Sequence, residues 1–146
     1  SVILMHIAGN PKIMQENPSY DNIISDIANH LLDRANFALK NGVKKHNIIL
    51  DPGIGFGKTI DNNFTIIDNM DKFINLGYPV LIGASRKSFI GKTLDVDENN
   101  RIEGTIASNV VALERGCKIF RVHDIKETKR ALTIANKIFN SNALNT

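Results

Sequence analysis

The chain has 146 residues, 42% hydrophobic and 23% charged, with 18 Lys and Arg against 15 Asp and Glu for a formal charge of +3. That balance fits one globular domain and excludes an intrinsically disordered chain, and no stretch approaches the ~20 uninterrupted apolar residues of a membrane span. A single cysteine closes no internal disulfide and the basic residues are scattered, so the expected setting is cytoplasmic, without nucleic acid or membrane as partner, and anionic small molecules are the open ligand class.

Ser1 leads directly into the apolar run Val2-Ile3-Leu4-Met5, as a chain begun at the threshold of a buried strand would, and suggests a piece of something longer. Residues 2–7, 48–50, 80–82 and 119–122 are short, continuously apolar runs, the pattern of parallel strands buried on both faces. Helical spacings separate them. Ile23, Ile27, Leu31 and Leu32, continuing through Phe37, Ala38 and Leu39, define the first helix, which Gly42 stops; Phe64, Ile66, Ile67, Met70, Phe73 and Ile74 define the second, before Gly77. The third runs from Ile102 to Gly116, and the fourth carries Ala131, Leu132, Ile134, Ala135, Ile138 and Phe139. The polar tail 140–146 is expected to fray.

Four strand–helix units imply a parallel α/β fold, either a small doubly wound sheet or part of a (β/α)₈ barrel, which needs about 250 residues in full. Polar or glycine-rich segments follow every strand, which suits a barrel mouth better than a single switch point.

The segment from Asp51 to Thr59 ends in Gly-Lys-Thr, yet Pro52 stands where a Walker loop needs its first glycine and Lys58 where the dinucleotide motif needs its third. What remains is a carboxylate at a strand end, before a pliable loop. Asp51 can accept paired N–H groups from a flat ligand edge, or it can simply bond the amides of Gly53 and Ile54 as a turn former. Phe56, flanked by glycines, is expected to be presented rather than packed. Gly83-Ala84-Ser85-Arg86-Lys87-Ser88 sets two cations beside two hydroxyls, an anion or carbonyl grip, and Lys87 could also serve as a Schiff-base amine. The stretch 89–101, with Gly91 and an acidic run, is expected to be a mobile loop. Arg121 and His123 share a side of the last strand, before a helix whose expected N-cap is Asp124. A buried Arg121 would call for an anion or a carboxylate partner. His6 is expected to be a rim or core histidine rather than a metal ligand, and Cys117 a small buried hydrophobe.

Taken together, Leu4-Met5-His6 with Gly9-Asn10-Pro11-Lys12 and Met14-Gln15, then Asp51 to Lys58, Gly83 to Gly91, and Arg121 to Asp124, resemble the second half of bacterial dihydropteroate synthases, pterin-binding (β/α)₈ barrels. The resemblance runs nearly the whole chain and implies that residues 1–146 form a partial barrel domain supplying strands five to eight with their helices.

It also implies a transferase of folate biosynthesis, the sulfonamide target, which condenses 6-hydroxymethyl-7,8-dihydropterin pyrophosphate with p-aminobenzoate. By that likeness Asp51 clasps the amino and N–H edge of the pterin and Lys87 its carbonyl edge. Met5 and Phe56 pack on the rings, Gly83 lets the pterin approach, Ser88 meets the aminobenzoate carboxylate, and Arg121 and His123 hold the leaving pyrophosphate. Lys87, Arg121 and His123 would be the catalytic residues. Magnesium is expected as cofactor with its ligand outside this segment, and a homodimer as the assembly. A non-catalytic pterin-binding or dimerising fragment, a pterin-dependent methyltransferase on the same barrel, and a Schiff-base aldolase through Lys87 are the alternatives.

Overall fold

The computed structural model describes residues 1–8 and 20–141, so the motif positions from Gly9 to Gln15 and most of the polar tail lie outside the described residues. The elements are β1 (Val2–Met5), α1 (Ile23–Lys40), β2 (Ile48–Asp51), α2 (Ile60–Asp68), α3 (Met70–Ile74), β3 (Leu81–Ile82), α4 (Ser88–Leu94), α5 (Ile102–Glu114), β4 (Ile119–Phe120) and α6 (Ile125–Phe139).

The strands are parallel. β1 pairs with β2 from Val2 opposite Ile48 to Met5 opposite Asp51, and β3 pairs with β4 through Leu81–Ile119 and Ile82–Phe120. A bridge between Leu50 and Val80 joins the two pairs, with Leu50 N donating to Pro79 O at 2.9 Å. Among the described residues strand order therefore follows chain order without reversal, with no switch point of the kind a doubly wound sheet requires. All four carboxyl ends meet along one rim.

Side-chain periodicity explains how the helices cover this sheet. Ile27, Leu31, Ala35 and Ala38 fall on one face of α1 and are buried, and they join Ile48, Leu50, Ile66, Met70, Phe73 and Ile82 in the core. Cys117 is buried there as expected, its Sγ 3.4 Å from Val80 O. Phe37, grouped with the apolar pattern of α1, is instead 60% exposed. Gly42, Gly77 and Gly116 follow α1, α3 and α5 with positive φ.

Several elements depart from the sequence reading. β3 and β4 are two residues each, shorter than the apolar runs; beyond Phe120 one further ladder bond follows, Arg121 N donating to Ile82 O at 2.9 Å. The second helix breaks at Asn69 (φ −110°, ψ 28°), whose side-chain amide donates to Thr65 O at 2.9 Å. The expected loop at 89–101 begins as a helix: Phe89 and Ile90 are buried, and the Phe89 ring meets Phe64 edge-on with centroids 5.4 Å apart. Asp97 then caps a 3₁₀ turn at Glu98–Asn100. At the carboxyl end of α6, Asn140 and Ser141 bond back to Asn136 and Ile138, and 142–146 lie outside the described residues.

Candidate active site

A cleft of about 430 Å³ opens at the carboxyl rim, lined by Met5, Phe56, Gly83, Ser85, Lys87, Arg121, Val122 and His123. Six residues named from sequence meet there: Met5, Phe56, Gly83, Lys87, Arg121 and His123. Asp51 joins them from beneath through Arg121. Ser88 does not. It is exposed at the start of α4 and lines a separate cleft of about 190 Å³ with Lys58, Thr59, Ile60, Asn63, Phe89 and Lys92. A larger cleft of about 750 Å³ lies at the opposite end of β4 and includes no predicted site residue.

Asp51 is fully buried, and its two oxygens have different partners. One oxygen accepts the Gly53 N–H at 2.8 Å, the turn-former bond, and the other accepts Arg121 Nη2 at 3.1 Å. Burial pushes the Asp51 carboxyl up, against the opposing Gly53 N–H and Arg121 charge. The Arg121 side chain is 51% exposed, so it is a rim cation with a carboxylate partner rather than the buried arginine considered above. Gly83 makes this pairing possible, since a Cβ there would lie 2.7 Å from Arg121 Nη2.

The loop after Asp51 is tied rather than pliable. Gly55 N donates to Asn63 Oδ1 at 2.7 Å, the Tyr20 hydroxyl to Gly57 O at 2.9 Å, and Thr59 Oγ1 caps α2 by accepting Asn62 N at 3.1 Å. Lys58 supplies the central link: its Nζ donates to Phe56 O at 2.9 Å and lies 3.1 Å from His6 Nδ1. Both residues are buried, and burial lowers Lys58 to about 8 and His6 to about 4. His6 is thus neutral at pH 7, and its Nδ1 accepts a hydrogen bond from Lys58 Nζ. Sequence reasoning passed over Lys58, because it was weighed only as the lysine of a phosphate loop.

Phe56 is half-buried and lies beneath Lys87, whose Nζ is 3.9 Å from the ring centroid. Burial pulls Lys87 below the usual lysine range, as does Arg121, while Asp51 opposes them. Across the cleft, Ser85 Oγ lies 3.0 Å from His123 Nδ1 and accepts His123 N at 3.2 Å. Ser85 orients the imidazole, and it too was missed as an individual residue although its loop was singled out. Asp124 stands at the N-cap of α6 but makes no side-chain cap; its carboxylate instead takes two bonds from Arg86, Nε–Oδ2 at 3.1 Å and Nη2–Oδ1 at 2.6 Å.

The cleft therefore offers a buried carboxylate, an ammonium over an aromatic face, and a guanidinium with an imidazole at the rim. Such a set can grip the donor edge of a flat polar ring and an anionic group carried by it.

Comparison with known proteins agrees. The sequence model of the pterin binding enzyme family matches residues 1–123. A dihydropteroate synthase of Haemophilus influenzae is 44% identical over 133 residues, 91% of this chain and 48% of that protein. The dihydropteroate synthase of Yersinia pestis, solved with a sulfonamide drug, superposes with a TM-score of 0.93 at 36% identity, covering 95% of this chain and 51% of the other. That of Thermus thermophilus, solved with 6HMPPP, gives 0.88 at 32% identity over 94% and 55% of the two chains, and it has also been solved with 4-aminobenzoate. The chain spans about half the length of the curated relatives it matches. Family model, relatives and cleft geometry converge: the chain belongs to the pterin-binding enzymes.

Proposed function

We propose that this chain is the pterin- and pyrophosphate-holding part of a cytoplasmic dihydropteroate synthase, contributing strands five to eight of a (β/α)₈ barrel. The observation that carries the reading is the Asp51–Arg121 pair at 3.1 Å, set in a cleft beside Lys87 and Phe56. A carboxylate with a donor edge to receive and a cation with an anion to receive compensate one another until a ligand supplies both.

In this reading the dihydropterin lies on Met5 with its amino and N–H edge on Asp51 and its carbonyl edge on Lys87. Arg121 and His123 hold the pyrophosphate, and Ser85 keeps the imidazole turned to it. The methylene C–O bond breaks as pyrophosphate leaves with its electron pair. The aryl amine of p-aminobenzoate then attacks the electron-poor methylene carbon and gives up one proton, forming the C–N bond of 7,8-dihydropteroate. The chain's contribution is to stabilise charge on the departing group with preorganised cations. Phe56 supports the aminobenzoate ring, and Ser88, in its neighbouring cleft, receives the carboxylate end.

Magnesium is proposed as cofactor with its ligand outside this segment; among the described residues no three of His, Cys, Asp or Glu converge, and the Asp51 oxygens face Gly53 and Arg121. The proposed assembly is a homodimer; α6 leaves Ile125, Ile134 and Ile138 more than 60% exposed, with Ile134 and Ile138 one turn apart.

The test is dihydropteroate formation from the pterin pyrophosphate and p-aminobenzoate, with a sulfonamide control, by the chain and by a version with four preceding barrel strands joined to it. Sulfonamide-sensitive product from either supports the reading. Absence of product and of pterin binding in both would refute it.

A further inference from the structure

Arg86 lies between Ser85 and Lys87 yet does not line the cleft, and the reaction above makes no use of it. Its backbone is left-handed, φ +55°, a conformation that L-residues rarely adopt. Three neighbours hold it there. Its N–H donates to Oγ1 of the buried Thr105 at 3.1 Å, its carbonyl accepts Arg101 Nη1 at 2.8 Å, and its guanidinium grips Asp124 by two bonds. Both backbone polar groups and the side chain of this one residue are thus anchored, to the start of α5 and the start of α6.

The consequence is directional. The reversal at Arg86 sends Ser85 toward His123 and Lys87 toward Phe56. Asp124 adjoins His123, so the two-pronged pair ties the β3 loop to the same strand end that presents Arg121 and His123. A guanidinium–carboxylate fork fixes angle as well as distance, which bonds to one rotatable hydroxyl, such as those between Ser85 Oγ and His123, do not.

We propose that the Arg86 side chain positions the anion-holding side of the cleft: through Asp124 it sets His123 and Arg121 against the Ser85 loop and so governs affinity for a pyrophosphate group, while the Lys87 contact to the pterin depends on the Arg86 backbone bonds to Thr105 and Arg101, which its side-chain variants keep. The identity of that ligand rests on the proposed function; the brace itself does not.

The experiment measures binding of inorganic pyrophosphate and, separately, of 6-hydroxymethylpterin to the full chain by calorimetry, for wild type, Arg86→Gln, Arg86→Lys, Asp124→Asn and the Arg86→Gln/Asp124→Asn double variant. Each single variant should weaken pyrophosphate binding about tenfold, the double variant no more than either single one, and pterin binding should stay within about twofold. Arg86→Lys, which keeps the charge but not the fork, should resemble Arg86→Gln. Losses that add in the double variant, full recovery by lysine, or equal weakening of both ligands would overturn the proposal.

Amide exchange at His123, whose N–H donates to Ser85 Oγ, is read in parallel. If wild type binds neither ligand, the site reading fails, and faster His123 exchange in Asp124→Asn still supports the brace, whereas unchanged exchange overturns it.

Discussion

Gly53 and Gly42 both have positive φ, +72° and +88°, but their surroundings differ, and alanine at each separates two costs. At Gly42 nothing lies within 4 Å of an added Cβ, so Gly42→Ala carries only the left-handed penalty, about 1 kcal/mol. At Gly53 the added Cβ would come well under 3.0 Å from the carbonyl oxygen of His6, a backbone atom. Relief needs a shift of roughly 1 Å in a close-packed interior. That shift breaks either Gly53 N to Asp51 Oδ1 (2.8 Å) or His6 N to Asp51 O (3.0 Å). A buried hydrogen bond lost this way costs ~1–3 kcal/mol, so Gly53→Ala should lose about 3 kcal/mol or more, a large part of the ~5–15 kcal/mol of a typical domain. Urea unfolding followed by far-UV circular dichroism reads the difference: the midpoint should fall about three times as far for Gly53→Ala as for Gly42→Ala. Equal shifts would refute the argument that the approach of β1 to this loop, and not backbone conformation alone, demands glycine at 53.

Three further outcomes are expected. In the complete synthase, Arg121→Ala should cut turnover on the order of 100-fold, and a steady-state loss below about tenfold would remove Arg121 from the chemistry. His6, lowered from 6.5 to about 4, binds its proton more weakly in the folded state. Its stabilising contribution is therefore complete above pH 6.5 and lost as pH falls toward 4, up to about 3 kcal/mol; His6→Gln should flatten that part of the urea-midpoint profile, and an unaltered profile would count against it. Lys58, lowered from 10.5 to about 8, works at the other end: the unfolded chain keeps the proton longer, so stability should rise between pH 8 and 10.5 in wild type relative to Lys58→Met, and parallel curves would refute this.

The helices were legible because burial imposes a period, α1 burying Ile27, Leu31, Ala35 and Ala38 at helical spacing; the strands showed as apolar runs, but only β2 and β3 are largely buried, whereas Val2 and Ile3 of β1 are exposed and β4 is half-buried, against the expectation of strands buried on both faces. Strand-end position alone also brought Asp51, Lys87, Arg121 and His123 into one neighbourhood. The misses share a different origin. Helix α4 is too short to show a period, and its burial depends on Phe64 across the packing interface. Lys58 and Ser85 act through partners distant in sequence, His6 and His123, which no local pattern reveals. Asp124 looks like an N-cap by its place before Ile125, yet Arg86 outcompetes the helix amides for its carboxylate. Ser88 stands one residue from Lys87, but the turn into α4 carries it to another cleft.

The close approach of Arg121 to Gly83 has an electrostatic consequence. The atom that an added methyl would meet is the tip of a flexible side chain, which can swing aside, so Gly83→Ala should leave the fold standing. What it moves is a charge. Deprived of Arg121, the buried Asp51 carboxyl would be pushed up further, and one uncharged methyl group would act as an electrostatic mutation. The effect of a methyl group at this position would therefore be read in the location of a positive charge rather than in the stability of the fold.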